Sequence, residues 1–304
     1  MSSTTSRTTV LLALLLATAL AGLQQAAASA DPTAPVDAAH MRWRTSCKKM
    51  KEATRSVLNK VVWPTSMKIA LSGVPPAEFS PKVNGRIVPV GTCQTNLGAL
   101  EYLYRLAGPL DINDTTSARC VGVKERWMVC EQGKRQVAFE MLFQYVNPVL
   151  QQINSPVGAT YNFSALGVFV FDRAGRICSY DYDLRRLGLV TDSALAPMVQ
   201  LIGGPEKYAE QLVQGVCQAS AAFCTGNITQ YANQTDCETF LRSLPVSNFD
   251  NADQDNLSCR VLHAMLVPLR PAVHCSHIGK TGGSKCVPHP PNLLFTDDFS
   301  VCST

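Results

Sequence analysis

Val137, Phe139, Met141, Phe143 and Tyr145 place a large apolar side chain at every second residue. That spacing fits a strand with one buried face and no helix. Val121, Val123, Glu125, Trp127 and Val129 give the strand before it the same alternation. Further on, Leu166–Phe171 and Arg176–Asp183 flank Asp172-Arg173-Ala174-Gly175, a turn with glycine in the last position that a bulged hairpin prefers. Two helical patterns precede the strands. Trp43, Cys47, Met50, Thr54, Val57/Leu58 and Val61 recur every three or four residues and stop at Pro64. Leu97, Leu100, Tyr104 and Ala107 share one side of a second helix ending at Gly108-Pro109. Between them, Asn84-Gly85 beside Val83 and Ile87 predicts a two-residue hairpin. Helices followed by long antiparallel strands predict an α+β layout, with helices covering one face of a curved sheet.

The order helix, helix, long strands, together with YNFSALGVFVFDRAGRICSYDYDLRRLG, resembles NTF2-like (SnoaL-like) cone folds over residues ~38–190. The resemblance implies a cone-shaped pocket lined by apolar strand residues. Members of that family use it for small-molecule binding, for isomerase or dehydratase chemistry, or as a dimerisation scaffold. The pocket residues it points to here are Trp127, Phe139, Phe143 and Tyr182.

The chain's first thirty residues read as a signal peptide. Arg7 is the one charge before Asp31, Val10–Leu23 is apolar, and Ala28-Ser29-Ala30 supplies small residues for cleavage. The apolar run is shorter than a bilayer span needs, and no later stretch is long enough. This predicts a secreted, soluble chain with no membrane span. After removal of Arg7, 26 Lys and Arg face 23 Asp and Glu, a balance too mild to indicate nucleic acid. The cluster Arg42, Arg44, Lys48, Lys49, Lys51 and Arg55 reads as the solvated face of the first helix. Asn113, Asn162, Asn227, Asn233 and Asn256 begin N-x-S/T sites, the expected glycosylation positions of a secreted chain.

Near Gly203-Gly204-Pro205 the character changes to short helices, cysteines and histidines. The expected division is signal peptide 1–30, α+β domain 31–202 and a smaller helical, disulfide-rich domain 203–304. Pro205 opens a stripe of Tyr208, Leu212, Val216 and Phe223; Thr235-x-x-Glu238 reads as a capping box; Leu257, Val261/Leu262 and Met265/Leu266 mark a helix stopped by Pro268. The tail CRVLHAMLVPLRPAVHCSHIGKTGGSKCVPH resembles Cys/His-rich tails of uncharacterised secreted proteins of fungi and similar microbes. That resemblance carries no activity across.

All 12 cysteines follow the cleavage site, so all are expected in disulfides. Cys47, Cys93, Cys120, Cys130 and Cys178 lie in the first part; Cys217, Cys224, Cys237, Cys259, Cys275, Cys286 and Cys302 lie in the second. Both sets are odd, so at least one bond must join the parts. Cys120 and Cys130 should not pair, because the strand between them holds them ~30 Å apart.

Chemistry could reside in two places. His263, His274 and His277 could ligate a metal, with Cys259 one helical turn before His263 and His274-Cys275-x-His277 in what reads as a Gly-rich loop. Oxidation of the cysteines favours a histidine-only site. The sequence otherwise calls for no cofactor: Gly279-Lys280-Thr281 lacks the upstream glycine and strand of a P-loop. In the α+β part the acid–base groups are Glu125, Glu140, Asp181, Asp183, Tyr102, Tyr104, Tyr180 and Tyr182. Asp181, Asp183, Glu140 and Tyr104 are the candidate catalytic residues, since Asp/Tyr pairs can serve enolisation.

The leading reading is a secreted glycoprotein that binds a small apolar ligand in the cone. The alternatives are an Asp/Tyr-dependent isomerase, dehydratase or hydrolase, and an extracellular or wall-associated interaction protein. Neither partner nor oligomeric state is legible.

Overall fold

The computed structural model describes residues 46–155, 158–290, 299 and 302. The expected signal peptide, Trp43 and the start of the basic cluster lie outside the described residues.

Helix α1 (Cys47–Asn59) is capped by Ser46, whose hydroxyl accepts from the Lys49 amide, and buries Met50, Thr54, Val57 and Leu58. Helix α2 (Thr65–Ser72) follows Pro64 and ends at Gly73, in the left-handed region. Strand β1 (Phe79–Val88) then turns into the short β2 (Gly91–Gln94), which runs directly into helix α3 (Thr95–Tyr104). The expected hairpin at Asn84-Gly85 does not form there. Gly85 is inside β1, where an added Cβ would stand 2.4 Å from the Tyr180 ring, so the glycine serves close packing instead of a turn. The turn falls at Pro89-Val90, with the Val90 amide bonded to the Ile87 carbonyl.

Strands β3 (Arg119–Glu131) and β4 (Gln136–Val146) form the longest ladder, with Trp127 opposite Glu140 and Met128 opposite Phe139. After the single-turn helix α4 (Pro148–Gln152) come β5 (Thr160–Phe171) and β6 (Ile177–Leu184), joined by the expected turn at Asp172–Gly175. The six-stranded sheet has the order β2-β1-β6-β5-β4-β3. It is mixed, because β1 lies parallel to β6 while the other pairings are antiparallel. Phe139, Met141, Phe143, Phe169, Phe171, Tyr180 and Tyr182 face inward against Met50, Val57, Leu58 and Tyr104 from the helices. This is an α+β layout, with helices over one face of a mixed sheet, of the kind the NTF2-like resemblance implies. The sheet's inner face is packed with rings, Phe139 meeting Phe169 edge-on at 4.9 Å and Tyr182 at 6.4 Å.

Helices α5 (Leu187–Leu201) and α6 (Pro205–Phe223) meet at 102° across Gly203-Gly204. They are followed by α7 (Gln234–Arg242), α8 (Leu257–Ala264) and α9 (Pro271–Ile278). A second core gathers Val213, Val216, Leu241, Leu257, Val267 and Ile278, while Leu262 and Leu266 join the cone's core. Asn233, two residues before the expected capping box, caps α7 by accepting from the Asp236 amide. No single helix among the described residues is long and apolar enough to cross a membrane.

Five disulfides form: Cys47–Cys130, Cys178–Cys302, Cys217–Cys237, Cys224–Cys275 and Cys259–Cys286. Cys178–Cys302 is the expected link between the two parts. Cys93 and Cys120 contradict the expectation that every cysteine pairs, since both are free thiols. They lie on β2 and β3, the opposite edges of the sheet, and burial pushes both thiols up to about 12.

Candidate metal centre

Two short cap helices bring three histidines to one point. Asn256 starts α8 by accepting from the Cys259 amide, and His263 falls in the last turn of that helix. Pro271 occupies the first turn of α9 and needs no amide bond there. His274 and His277 therefore sit three residues apart on one face of a helix, not in a loop as the sequence suggested. The Cys259–Cys286 and Cys224–Cys275 disulfides anchor the two helices beside these rings. Bonding between Cys259 and Cys286 removes both sulfurs from a ligand set with His263, leaving histidine nitrogens alone.

The three Nδ1 atoms face one another. His263 to His274 is 3.4 Å, His274 to His277 is 3.2 Å, and His277 to His263 is 3.2 Å. Nitrogens bound at roughly 2.0–2.1 Å to one tetrahedral ion stand about 3.3–3.4 Å apart, against about 2.9 Å on an octahedral face. The triangle has the tetrahedral size. Burial, and then the neighbouring imidazoles, hold His263 far below its usual range; burial and His274 take His277 down to about 3. Both rings are neutral near pH 7, the state in which imidazole ligates.

The cone supplies what surrounds this triangle. Glu101 on α3 is almost fully buried and accepts from His274 Nε2 at 3.1 Å. In the neutral ring that bond assigns the proton to Nε2 and leaves the Nδ1 lone pair aimed at the centre. Both Glu101 oxygens also receive the Arg270 guanidinium. Tyr102, the next residue, places its hydroxyl 3.4 Å from His263 Nδ1. On the far side Gly283, at a φ of +53°, lies so close that a Cβ there would be 2.6 Å from His277 Cδ2. The Gly279–Gly283 segment, with its superficial likeness to a nucleotide loop, thus covers a histidine. Lys285 ties its end to the cone by donating to the Thr92 carbonyl and hydroxyl at 2.7 Å.

The carboxylates expected to be catalytic are elsewhere. Asp181 is paired with Arg86, and Asp183 is largely exposed, with partial burial of its carboxyl raising the pKa. Both line a cleft on the sheet's outer face with Trp127. Glu140 is also on that face. It accepts from Ser164, Trp127 and Arg185, with the Ser164 bond the largest influence lowering its pKa. Tyr104 is in the core and donates to the Val57 carbonyl, so it meets none of the three. Of the expected ligand-lining residues, Phe139, Phe143 and Tyr182 face inward, while Trp127 lies on the opposite face of the sheet. Asn113, Asn162, Asn227 and Asn233 are exposed. Asn256 differs from these four: it is buried and its Nδ2 donates to the Asn251 carbonyl.

Glu101 and Arg270 belong to the site although no motif in the sequence marks them. A signal is present, because Glu101 interrupts the apolar helix LGALEYLY, where a carboxylate is costly unless paired.

The architecture defines a class: an NTF2-like cone joined to a helical, disulfide-rich cap. Residues 194–289 match the BfoA family C-terminal domain. A 124-residue segment is 35% identical to the aurasperone B biosynthesis cluster protein A of Aspergillus niger, covering 39% of this chain and 41% of that protein. The bifonsecin B biosynthesis cluster protein A of Aspergillus brasiliensis is 33% identical over 124 residues, 39% of this chain and 42% of its own length. The chain thus matches about two fifths of the length of these curated relatives. Similar solved structures include an LEH-like epoxide hydrolase of M. tuberculosis, at 15% identity and a TM-score of 0.34, covering 51% of this chain and 91% of that one. The BvnE pinacolase of Penicillium brevicompactum has 11% identity and a TM-score of 0.32, covering 57% and 98%.

Proposed function

We propose that this chain is a secreted metal-binding protein that serves small-molecule biosynthesis, with one zinc-class ion held by His263, His274 and His277 where the cap meets the cone. The observation that carries the reading is the Nδ1 triangle of 3.2–3.4 Å, in which three imidazole nitrogens converge at a buried site. Without an ion, the three nitrogens satisfy one another only when two rings carry the proton on Nδ1 and both donate to the third; any other set of neutral tautomers leaves like groups facing each other. The carboxylate behind His274 is the kind of partner that metal-bound histidines commonly have on their other ring nitrogen. Secretion is supported by the sequence of residues 1–30 and by five disulfides, and glycans belong on the exposed sites. Residue 203 divides cone from cap. The biosynthetic role rests on the two cluster-protein relatives.

Elemental analysis of protein secreted without a histidine tag tests this reading. One equivalent of zinc or copper is expected, falling below a tenth in a His274→Ala/His277→Ala variant. No stoichiometric metal, and no thermal shift on adding zinc, would overturn it.

A small apolar ligand remains a second reading, placed outside the cone. A cavity of about 400 Å³ between α5, α6 and the 246–249 segment is lined by Leu195, Val199, Tyr208, Leu212 and Phe249. A screen of apolar probes by thermal shift tests it: Leu212→Trp should abolish any stabilisation, and a hit insensitive to that change would place the ligand elsewhere.

A further inference from the structure

We propose that Tyr102 is the fourth ligand of this centre, so that the ion is closed off from solvent and bolts the cap to the cone. The inference rests on the metal reading above and adds a donor from a different part of the chain. All three histidines belong to α8 and α9; Tyr102 belongs to α3, under the sheet.

The geometry distinguishes a ligand from a hydrogen-bond partner. Tyr102 Oη stands 3.4 Å from His263 Nδ1, longer than a hydroxyl hydrogen bond ordinarily runs. It equals the longest edge of the histidine triangle and suits two donors about 2.0–2.2 Å from a shared ion. Among the described residues this hydroxyl makes no other hydrogen bond, and the residue is only 6% exposed. Its ring lies 6.0 and 6.2 Å, centroid to centroid, from those of His263 and His274 in T-shaped arrangements, so the residue packs against both. Three imidazoles and one phenolate make the four donors of a structural tetrahedral site, where a catalytic site would leave one position for water. On ligation the Tyr102 O–H bond breaks, an oxygen lone pair binds the ion and the proton leaves to solvent. Glu101, one residue earlier, then bonds to His274 Nε2 from the same helix, so α3 reaches the centre through adjacent residues.

Titration of metal-stripped full-length mature protein with zinc, followed by ultraviolet difference spectroscopy, tests the assignment. One equivalent should produce the difference absorption of a single ionised tyrosine. Tyr102→Phe, which keeps the ring, should bind zinc on the order of 10–100-fold more weakly and show no such signal. The cobalt form should show the intense visible absorption of a four-coordinate site in the wild type and lose most of it in the variant. Stoichiometric binding with no tyrosinate signal and unchanged affinity in Tyr102→Phe would overturn this inference and leave the three-histidine reading standing. Failure of the wild type to bind any metal would remove both.

Discussion

Between Cys47 and Leu184, six strands carry Phe139, Phe169, Phe171, Tyr180 and Tyr182 into one aromatic core, and a single disulfide, Cys47–Cys130, ties that part to itself. From Pro205 onward, the labelled helices run from 8 to 19 residues around a smaller core, and three disulfides lie wholly within the segment. The first part has the larger apolar core, and two of its cysteines remain buried thiols. The second is too small to rely on burial alone, as small secreted domains generally are. Cross-links appear where the apolar core thins out.

The largest test of that contrast is Phe139→Ala. Removing a fully buried ring in the middle of the aromatic cluster should cost about 3–5 kcal/mol and lower the melting temperature of the cone. A loss below about 1 kcal/mol in chemical denaturation would mean that the cone holds a ligand-sized void and not a packed core.

Next in size is the cap. Replacing Cys224 and Cys275 together by alanine should cost about 2–4 kcal/mol, read as faster amide exchange in α6 and α9. The matching changes Cys93→Ala and Cys120→Ala break no disulfide and should cost less. Equal losses for both kinds of substitution would erase the distinction between stapled and unstapled halves.

The same contrast explains what is legible in the sequence. The period-2 stripe in 137–145 reports a buried sheet face directly and the turn at 172–175 locates β5 and β6, whereas the stripe in 121–129 locates β3 but marks its outer face, with Val121, Trp127 and Val129 exposed. Gly85 cannot be placed in this way, because its role depends on a ring that arrives from β6, far along the chain. The odd cysteine counts require a cross-link, which Cys178–Cys302 supplies, yet no count can show that Cys93 and Cys120 sit at opposite sheet edges. His263, His274 and His277 are visible as a cluster because the cap's contacts are local. Glu101 and Tyr102 are not, because they come from 161 or more residues away.

Metal removal probes the junction between the halves. If the centre is occupied, saturating zinc at about a hundredfold over its dissociation constant should stabilise the protein by about 2.7 kcal/mol relative to the stripped form. Protection from proteolysis should be gained in α8 and α9 before the β3–β4 ladder. Stabilisation spread evenly over cone and cap would argue against a local centre.

The smallest expected effect concerns Asn256. Its Oδ1 accepts from the Cys259 amide and its Nδ2 donates to the Asn251 carbonyl, so the side chain starts the helix that presents His263. Asn256→Ala should cost about 1–2 kcal/mol through loss of the cap. Asn113→Ala, at an exposed N-x-S/T site, should stay within about 0.5 kcal/mol. Peptide mapping of secreted protein makes the same distinction chemically. A glycan attached to Asn256 before folding would bar that side chain from its buried position, and α8 would then lack its cap. Asn256 should therefore be unmodified in folded protein even where Asn113 is occupied. Stoichiometric glycan at Asn256 in protein that still binds metal would show that the histidine site does not depend on this cap.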